Sequence, residues 1–177
     1  MASALDQLDG RLIRCLATQP RASVVDLARR LGVARGTVQA RLDKLVQRGV
    51  ITGFGPDVDV QTLGYEVTSF TTLEIAQGRL ADVIEHLTAI PEVLEVHSVT
   101  GSGDLLCRIV ARTNADLQEV INRILEVQGI GRTQTVIALA PQIAMRVLPL
   151  VDSVAARGGV EHREYALADS PDANGQQ

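Results

Sequence analysis

Apolar residues recur every three to four positions over the first fifty residues, a spacing that predicts amphipathic helices. A first helix is expected over residues 6–18, because four apolar positions then share one face. These are Leu8, Leu12, Ile13 and Leu16. Pro20 blocks its continuation, since proline has no backbone N–H to donate.

Two more helices follow, joined by a tight turn. Ser23 and Asp26 have the spacing of a capping box, so the second helix should begin at Val24. Gly32 can adopt the left-handed conformation that ends it. Apolar residues at i, i+4 and i+7 then indicate the buried side of a third helix, with Gly49 as its C-terminal cap. They are Val38, Leu42 and Leu45. Two helices around a tight turn are typical of a helix-turn-helix.

The opposite side of the third helix carries small and basic residues. Small residues let a helix enter the major groove, which is about 12 Å wide. Arg, Lys, Gln and Thr side chains can reach base edges and phosphates from there. The candidate DNA-binding residues are therefore Arg35, Gly36, Thr37, Gln39, Ala40, Arg41 and Lys44.

The charge distribution bears on this interpretation, because a basic helix face is often only a solvated face. Residues 1–53 hold nine Lys and Arg against four Asp and Glu, a net charge of +5. Residues 54–177 hold eight basic residues against seventeen acidic ones, a net charge of −9. A basic segment on an acidic chain is typical of a protein that binds a polyanion, so double-stranded DNA is the expected partner.

The hydrophobic rhythm changes after residue 64. Alternating, β-branched segments predict four strands, and 3.6-residue periodicity predicts a helix within each strand–helix–strand half. The strands are expected over 65–75, 93–99, 105–111 and 132–139, and the helices over 80–90 and 116–125. The order β-α-β-β-α-β is that of a ferredoxin-like fold. The fold class is therefore α+β, with a three-helix, winged-helix-like domain before the ferredoxin-like domain.

These elements divide the 177 residues into four regions. We expect a helix-turn-helix domain over 1–53, a linker over 54–64, an αβ domain over 65–150, and a flexible tail over 151–177. A short strand is expected at Val50–Phe54, and residues 143–150 could add another strand or a packing arm. The N-terminus lacks a signal-peptide pattern and no apolar run is long enough to cross a bilayer, so a cytoplasmic protein is expected.

The composition excludes several functional classes. Aromatic residues are only 2% of the chain, which disfavours stacking on single-stranded nucleic acid. Cys15 and Cys107 are far apart and are interpreted as small apolar residues of a reduced cytosol. No Cys or His spacing suggests a metal site, so neither a metal nor a cofactor is expected.

The turn Gly101–Asp104 is the candidate small-molecule site. Its glycines expose backbone N–H groups that could hold a carboxylate, and Asp104 could pair with an ammonium group. The alternative is an ordinary hairpin turn, with Asp104 bonded within its own loop. The full set of candidate effector-binding residues is Val99, Thr100, Gly101, Ser102, Gly103, Asp104 and Thr135.

Over roughly residues 5–140 the chain resembles the Lrp/AsnC, or feast/famine, family of transcription regulators. The N-terminal motifs that carry the resemblance are LDQLDGRLIRCL, RASVVDLARRLGV and VQARLDKLVQRGVITGF, and the C-terminal ones are VTGSGDLL and TVIAL. The family usually has Ser or Thr where Ala34 stands, and an aromatic residue is common where Gly103 stands. Alanine is a poor N-cap and costs a helix about 1 kcal/mol.

The resemblance implies a ligand-responsive DNA-binding regulator. The αβ domain would pair its sheet with that of a partner to give a homodimer, and dimers would assemble into tetramers or octamers. The effector implied is a small molecule of the amino-acid class, bound between subunits. Arg41 matches a near-constant family arginine, which either contacts phosphate or braces the domain.

Two other functions are considered beside the regulator. The related sirohaem decarboxylases share the fold, but they need acid–base groups around a large pocket. This chain has few histidines and keeps a basic recognition helix, so an enzyme is not expected. A non-specific architectural DNA binder is the other alternative, because multimeric family members can wrap DNA.

Overall fold

A computed structural model of the chain describes residues 5–157. They form two compact units. One, the helical unit, contains the chain up to Pro56 and again from Met145, and the other, the αβ unit, spans Asp57–Ala144. The chain therefore leaves the helical unit once and returns to it.

The helical unit begins with three helices: α1 (Gln7–Thr18), α2 (Val24–Leu31) and α3 (Arg35–Gln47). The expected caps are present. The Ser23 hydroxyl accepts the backbone N–H of Asp26, and Gly32 ends α2 with a φ of 70°. Leu12, Leu27, Val38 and Leu45 are at most 1% exposed and form the centre of the core.

The αβ unit contains β1 (Val67–Ile75), α4 (Leu80–Thr88), β2 (Val93–Ser98), β3 (Leu105–Ala111), α5 (Asn114–Leu125) and β4 (Ile130–Ala138). All strand pairs are antiparallel, in the order β2-β3-β1-β4. This is the strand order of the ferredoxin-like layout, and the predicted α+β fold class is confirmed.

One face of this sheet is covered by the two helices of the unit. Inward-facing strand residues such as Leu73, Cys107 and Ile109 are fully buried against Val83 and Ile124. The alternation of buried and exposed positions on β1 follows from the two-residue period of a strand. α5 begins at Asn114, two residues before the helix expected over 116–125, and its N-cap is Thr113, in a capping box with Asp116.

The structure differs from the sequence-based prediction at Val50–Phe54, where no strand is formed. A strand needs hydrogen bonds from a neighbouring strand, and no other segment of residues 5–157 pairs with this one. Of the two possibilities for residues 143–150, the further strand is wrong: residues 143–147 form neither a strand nor a helix, and residues 148–150 begin a helix.

The C-terminal region also differs from the prediction of a flexible tail over 151–177. Residues 148–157 form a further helix, α6, which belongs to the helical unit. Its first turn tolerates Pro149 because the N–H groups there have no intrahelical acceptor. Val151 and Ala155 are 8% and 6% exposed, so tertiary packing orders this segment. The rest of the predicted tail lies outside the described residues.

Candidate nucleic-acid interface and effector site

α3 turns most of its candidate DNA-binding residues to solvent. Val38 and Leu45 are each 1% exposed and fix which side of the helix faces the core. Six of the seven candidates are exposed: Arg35, Gly36, Thr37, Gln39, Ala40 and Lys44. The exposed side of α3 is therefore small, polar and basic, as a helix that enters the major groove requires.

Arg41 behaves differently from these six residues. Its side chain is 31% exposed, and its Nη1 donates to Asp6 and, at 2.8 Å, to Oδ1 of Asp9. The hydrogen bond to Asp6 is the main reason why the pKa of Arg41 is raised. Burial opposes ionisation of Asp6, but hydrogen bonds from Arg41 and from the backbone of Asp9 outweigh it and lower the pKa of Asp6. Of the two roles considered for Arg41, this geometry supports the brace.

Gln39 has a partner that sequence reasoning missed. Its Nε2 donates to Oδ1 of Asp43 at 2.8 Å, along one face of α3. The i, i+4 spacing was the available signal, since such residues are neighbours on a helix surface. Asp43 therefore presets the orientation of the Gln39 amide on the exposed face.

α3 starts without a side-chain cap. Ala34 has the extended backbone of an N-cap residue. It forms no side-chain hydrogen bond, because the methyl group of alanine has no acceptor. The first N–H groups of a helix lack intrahelical acceptors and carry partial positive charge. The N-terminus of α3 thus presents free donors beside Arg35.

The Gly101–Asp104 turn is tied to the end of β1. Oδ2 of Asp104 accepts the backbone N–H of Ile75 at 2.6 Å, and the N–H of Asp104 donates to the carbonyl of Leu73 at 2.9 Å. The N–H of Val99 closes the turn on the carbonyl of Asp104 at 3.0 Å. One oxygen of Asp104 therefore holds the end of β1, and not its own loop as in the alternative considered from sequence.

The two glycines of this turn are required for different reasons. Gly101 has a φ of 114°, a conformation that residues with a Cβ rarely adopt. A Cβ on Gly103 would overlap Cγ2 of Thr72 and lie 3.2 Å from the Leu73 carbonyl oxygen. The turn accordingly lies against β1 with no room for the aromatic residue common in the family.

Thr135 does not join the turn through any hydrogen bond within residues 5–157. Its Oγ1 lies 3.0 Å from Oγ1 of Thr71, its partner in the β1–β4 register. The turn instead bonds to Leu73 and Ile75, two to four residues further along β1, roughly 7–13 Å away at strand spacing. The structure thus brings six of the candidate effector residues together and leaves Thr135 apart.

A charged cleft of about 420 Å³ lies at the other end of the sheet, where β1 begins and β3 ends. The guanidinium of Arg112 stacks 5.6 Å from the Tyr65 ring centre, and Arg123 bonds Oε1 of Glu92 at 2.7 Å. Burial opposes ionisation of Glu92, but the Arg123 hydrogen bond lowers its pKa overall. No short motif marks this cleft, because its walls come from four separate segments.

Comparison with protein families matches both units. An AsnC-type helix-turn-helix domain matches residues 5–46, and an Lrp/AsnC ligand binding domain matches residues 68–147. The regulatory protein AsnC of Escherichia coli is 31% identical over 147 residues, covering 82% of this chain and 97% of that protein. The chain belongs to the Lrp/AsnC family.

Other members of the Lrp/AsnC family show the same extent of similarity. The HTH-type transcriptional regulator FL11 of Pyrococcus horikoshii is 28% identical, covering 85% of this chain and 99% of that protein. The solved structure of E. coli AsnC superposes with a TM-score of 0.76 at 30% identity, covering 82% of this chain and 99% of that one. The family relatives are thus transcriptional regulators, with a DNA-binding and a ligand-binding domain.

The regulator NMB0573 of Neisseria meningitidis, solved as a complex with L-Met, shares the fold. Its TM-score is 0.75 at 21% identity, covering 82% of this chain and 97% of that one. At this identity the likeness concerns the fold alone.

The two cysteines of this Lrp/AsnC protein both lie in its described part. Burial raises the pKa of the Cys107 thiol to about 11, so it is a neutral core residue, and Cys15 is half-buried. Within residues 5–157, no three His, Cys, Asp or Glu side chains are grouped so that they could hold a metal ion. None of the helices in this part of the chain is long and apolar enough to span a membrane.

Proposed function

We propose that the protein is a transcription regulator that prefers specific double-stranded DNA sequences and whose DNA affinity or assembly responds to an amino acid. One observation carries the DNA part. α3 buries Val38 and Leu45 and turns Arg35, Gln39 and Lys44 to solvent, beside an uncapped helix N-terminus. Its exposed side is suited to the major groove, whereas an ordinary surface helix would need no such set of small and basic residues.

Each side chain of α3 has a distinct proposed role. Arg35, Thr37 and Gln39 read base edges, while Lys44 and the free N–H groups that follow Ala34 contact phosphates. Gly36 and Ala40 allow close approach. Arg41 contributes by holding α3 against α1, through Asp6 and Asp9.

A homodimer is proposed to form through the sheet face that α4 and α5 leave uncovered. Phe70 of β1 lies on this face and is 40% exposed, and Val136, its register partner on β4, is 58% exposed. Arg108 is opposite Phe70 on β3. Burial of such apolar residues against a second copy is favourable. A dimer would place two α3 helices in successive major grooves, roughly 34–36 Å apart, on a near-palindromic operator.

The amino-acid effector is proposed to bind at the Gly101–Asp104 turn. Backbone N–H groups of the turn would hold its carboxylate, and the Asp104 oxygen not bonded to Ile75 would accept its ammonium group. Tetramers or octamers of the dimer would complete such a site between subunits.

Fluorescence anisotropy tests the DNA part. The purified protein is titrated onto the duplex upstream of its own gene and onto a scrambled duplex, over a salt series. We expect binding that weakens steeply with salt and that favours the upstream duplex. Equal affinity for the two duplexes would instead indicate an architectural binder, and binding to neither would contradict the DNA assignment.

The effector part is tested by repeating the titration with a pool of the twenty amino acids, then with L-methionine alone. Gly101→Ala introduces a Cβ at a φ of 114° and should abolish the response. Gly78→Ala is the matched control, because Gly78 has a φ of 78° in a turn elsewhere in the same unit. An equal loss in both variants would mean general destabilisation, and a retained response in Gly101→Ala would remove the turn as the site.

Sedimentation velocity tests the dimer. Phe70→Glu should convert it to monomer, whereas Leu125→Glu, which adds the same charge at a residue 44% exposed on α5, should not. A Phe70→Glu protein that sediments like the unchanged protein would place the interface elsewhere.

A further inference from the structure

α6 packs on α1 at a contact that requires glycine. A Cβ on Gly10 would lie 2.7 Å from the Cβ of Ala155, far closer than two such carbons ordinarily approach. An ion pair between Arg14 and Asp152 lies one turn further along α1. The backbone of α1 at Gly10 therefore packs directly against the Ala155 side chain of α6, and only a residue without a side chain fits at position 10.

α1 connects this contact to the recognition helix. Gly10 follows directly on Asp9, whose carboxylate accepts a hydrogen bond from Arg41 of α3 at 2.8 Å. Asp6, one turn earlier, holds the same guanidinium. The same turn of α1 thus contacts α6 through Gly10 and carries Asp6 and Asp9, which form the only ion pairs to Arg41 within residues 5–157.

α6 is suited to reversible docking. It has ten residues, and isolated helices of that length are marginal in water, so α6 depends on its packing to stay folded. Val151 and Ala155 are buried, but Leu150 and Val154 remain 66% and 42% exposed. The family match ends at residue 147, so α6 lies outside the matched ranges.

We propose that α6 is a releasable latch on the helical unit. Docked at Gly10, it holds α1 and, through Asp6 and Asp9, the position of α3. Released, it lets α3 loosen and lowers the affinity for DNA. The DNA readout of this latch rests on the proposed function, whereas its effect on α3 does not.

The test uses the full chain and two independent ways to release α6. Gly10→Ala introduces the clash from α1, and Ala155→Asp places a charge in the contact from α6. Gln7→Ala, at an exposed position of α1, is the matched control. Ala155→Gly removes the opposing Cβ, so Gly10→Ala/Ala155→Gly compared with Ala155→Gly alone isolates the steric clash.

Hydrogen exchange of α6 and α3 is measured by mass spectrometry in each variant, together with DNA affinity by anisotropy. We expect Gly10→Ala and Ala155→Asp to speed exchange in α6 by about tenfold or more, to speed it in α3 several-fold, and to weaken DNA binding several-fold. The double variant should differ little from Ala155→Gly alone, and Gln7→Ala should resemble the unchanged protein.

The latch would be contradicted if α6 stays protected from exchange in both release variants. It would also be contradicted if α6 is released but the exchange of α3 does not change, or if α6 is released but the DNA affinity does not change. Should Gly10→Ala fail to fold, Ala155→Asp alone decides, because it leaves α1 intact. An unchanged protein that binds neither duplex contradicts the proposed function, and the exchange of α3 still decides whether the latch exists.

Discussion

Arg41 of α3 and Asp9 of α1 are joined by a hydrogen bond of 2.8 Å between Nη1 and Oδ1, and the Asp9 side chain is only 12% exposed. A carboxylate so little hydrated needs a charged donor, since an unpaired buried charge is costly. Arg41, which the sequence suggested as a DNA-binding residue, therefore holds α3 against α1 through this pair.

Arg41→Ala should destabilise the helical unit, because Asp9 then loses its charged partner. We expect the free energy of unfolding in urea to fall by about 1–2 kcal/mol, compared with a change within about 0.5 kcal/mol for Lys44→Ala, whose side chain is exposed. Equal stability of the two variants would contradict the role of Arg41 in holding α3 against α1.

Acid should weaken the same tie. The pKa of Asp6 is below the 3.8 of a free aspartate, so the unfolded chain binds its proton first. The stability that Asp6 contributes is complete above about pH 5 and is lost as the pH falls through its lowered pKa. Its size is modest, because a third of the side chain is exposed to screening solvent.

Urea unfolding at pH 6 and pH 3 measures this contribution. Asp6→Asn should be less stable than the unchanged protein at pH 6, and the difference should shrink at pH 3. Asp57→Asn, at an exposed aspartate, controls for the general effect of acid. A difference for Asp6→Asn that stays constant over this range would mean that its charge has no part in the tie.

Lys44 and Gln39 should affect DNA binding in different ways. Lys44→Ala removes a proposed phosphate contact, so affinity should fall on every duplex and the slope of log affinity against log salt should drop by about 0.9. Gln39→Ala should leave that slope unchanged and reduce discrimination between duplexes, by about 1–3 kcal/mol if its contact is bidentate.

Anisotropy over a salt series, with operator and scrambled duplexes, separates these two roles. Arg112→Ala, which removes an exposed charge from the αβ unit just after β3, should alter neither quantity. A Gln39→Ala protein with intact discrimination would assign base reading to other residues.

Gly103→Ala should destabilise the αβ unit, because its Cβ would overlap Cγ2 of Thr72. Overpacking of this kind costs about 1–3 kcal/mol. Thr72→Ser removes that methyl group, so Gly103→Ala should cost less in a Thr72→Ser background. Thermal unfolding of the four proteins in this cycle gives the coupling, and additive losses would show that the two residues do not touch.

Ala34→Ser should stabilise the helical unit by about 1 kcal/mol. Ala34 already has the extended backbone of an N-cap, with φ −65° and ψ 147°, so a serine hydroxyl there could accept a free N–H of α3. Ala40→Ser, in the interior of the same helix, should give no such gain. Urea unfolding measures both, and equal changes would mean that the start of α3 needs no cap.

Much of the fold could be predicted from the sequence, because its determinants are local. Helical spacing, the Ser23 cap and the left-handed Gly32 define α2, and the two-residue alternation of β1 defines which face is buried. The exposed face of α3 followed from the same periodicity: Val38 and Leu45 set its orientation whatever surrounds them.

Long-range contacts decided the rest. From the sequence, Arg41 is expected to be exposed on α3, as Lys44 is. Only the packing of α1 brings Asp6 and Asp9, which are more than thirty residues away in sequence, to the Arg41 side chain. Thr135 lies apart from the Gly101–Asp104 turn because it pairs with Thr71, whereas the turn bonds to Leu73 and Ile75 further along β1, a register that no local pattern specifies.

α6 shows the division most clearly. The segment 148–157 is too short to form a stable helix in isolation, and most of it was predicted to belong to a flexible tail. The helix exists because Gly10 lets α1 approach Ala155, a steric fit between residues 145 positions apart. The sequence by itself determined the elements whose caps and periodicity are local, and the tertiary structure alone decided which side chains meet across those elements, because such contacts depend on chain packing in three dimensions.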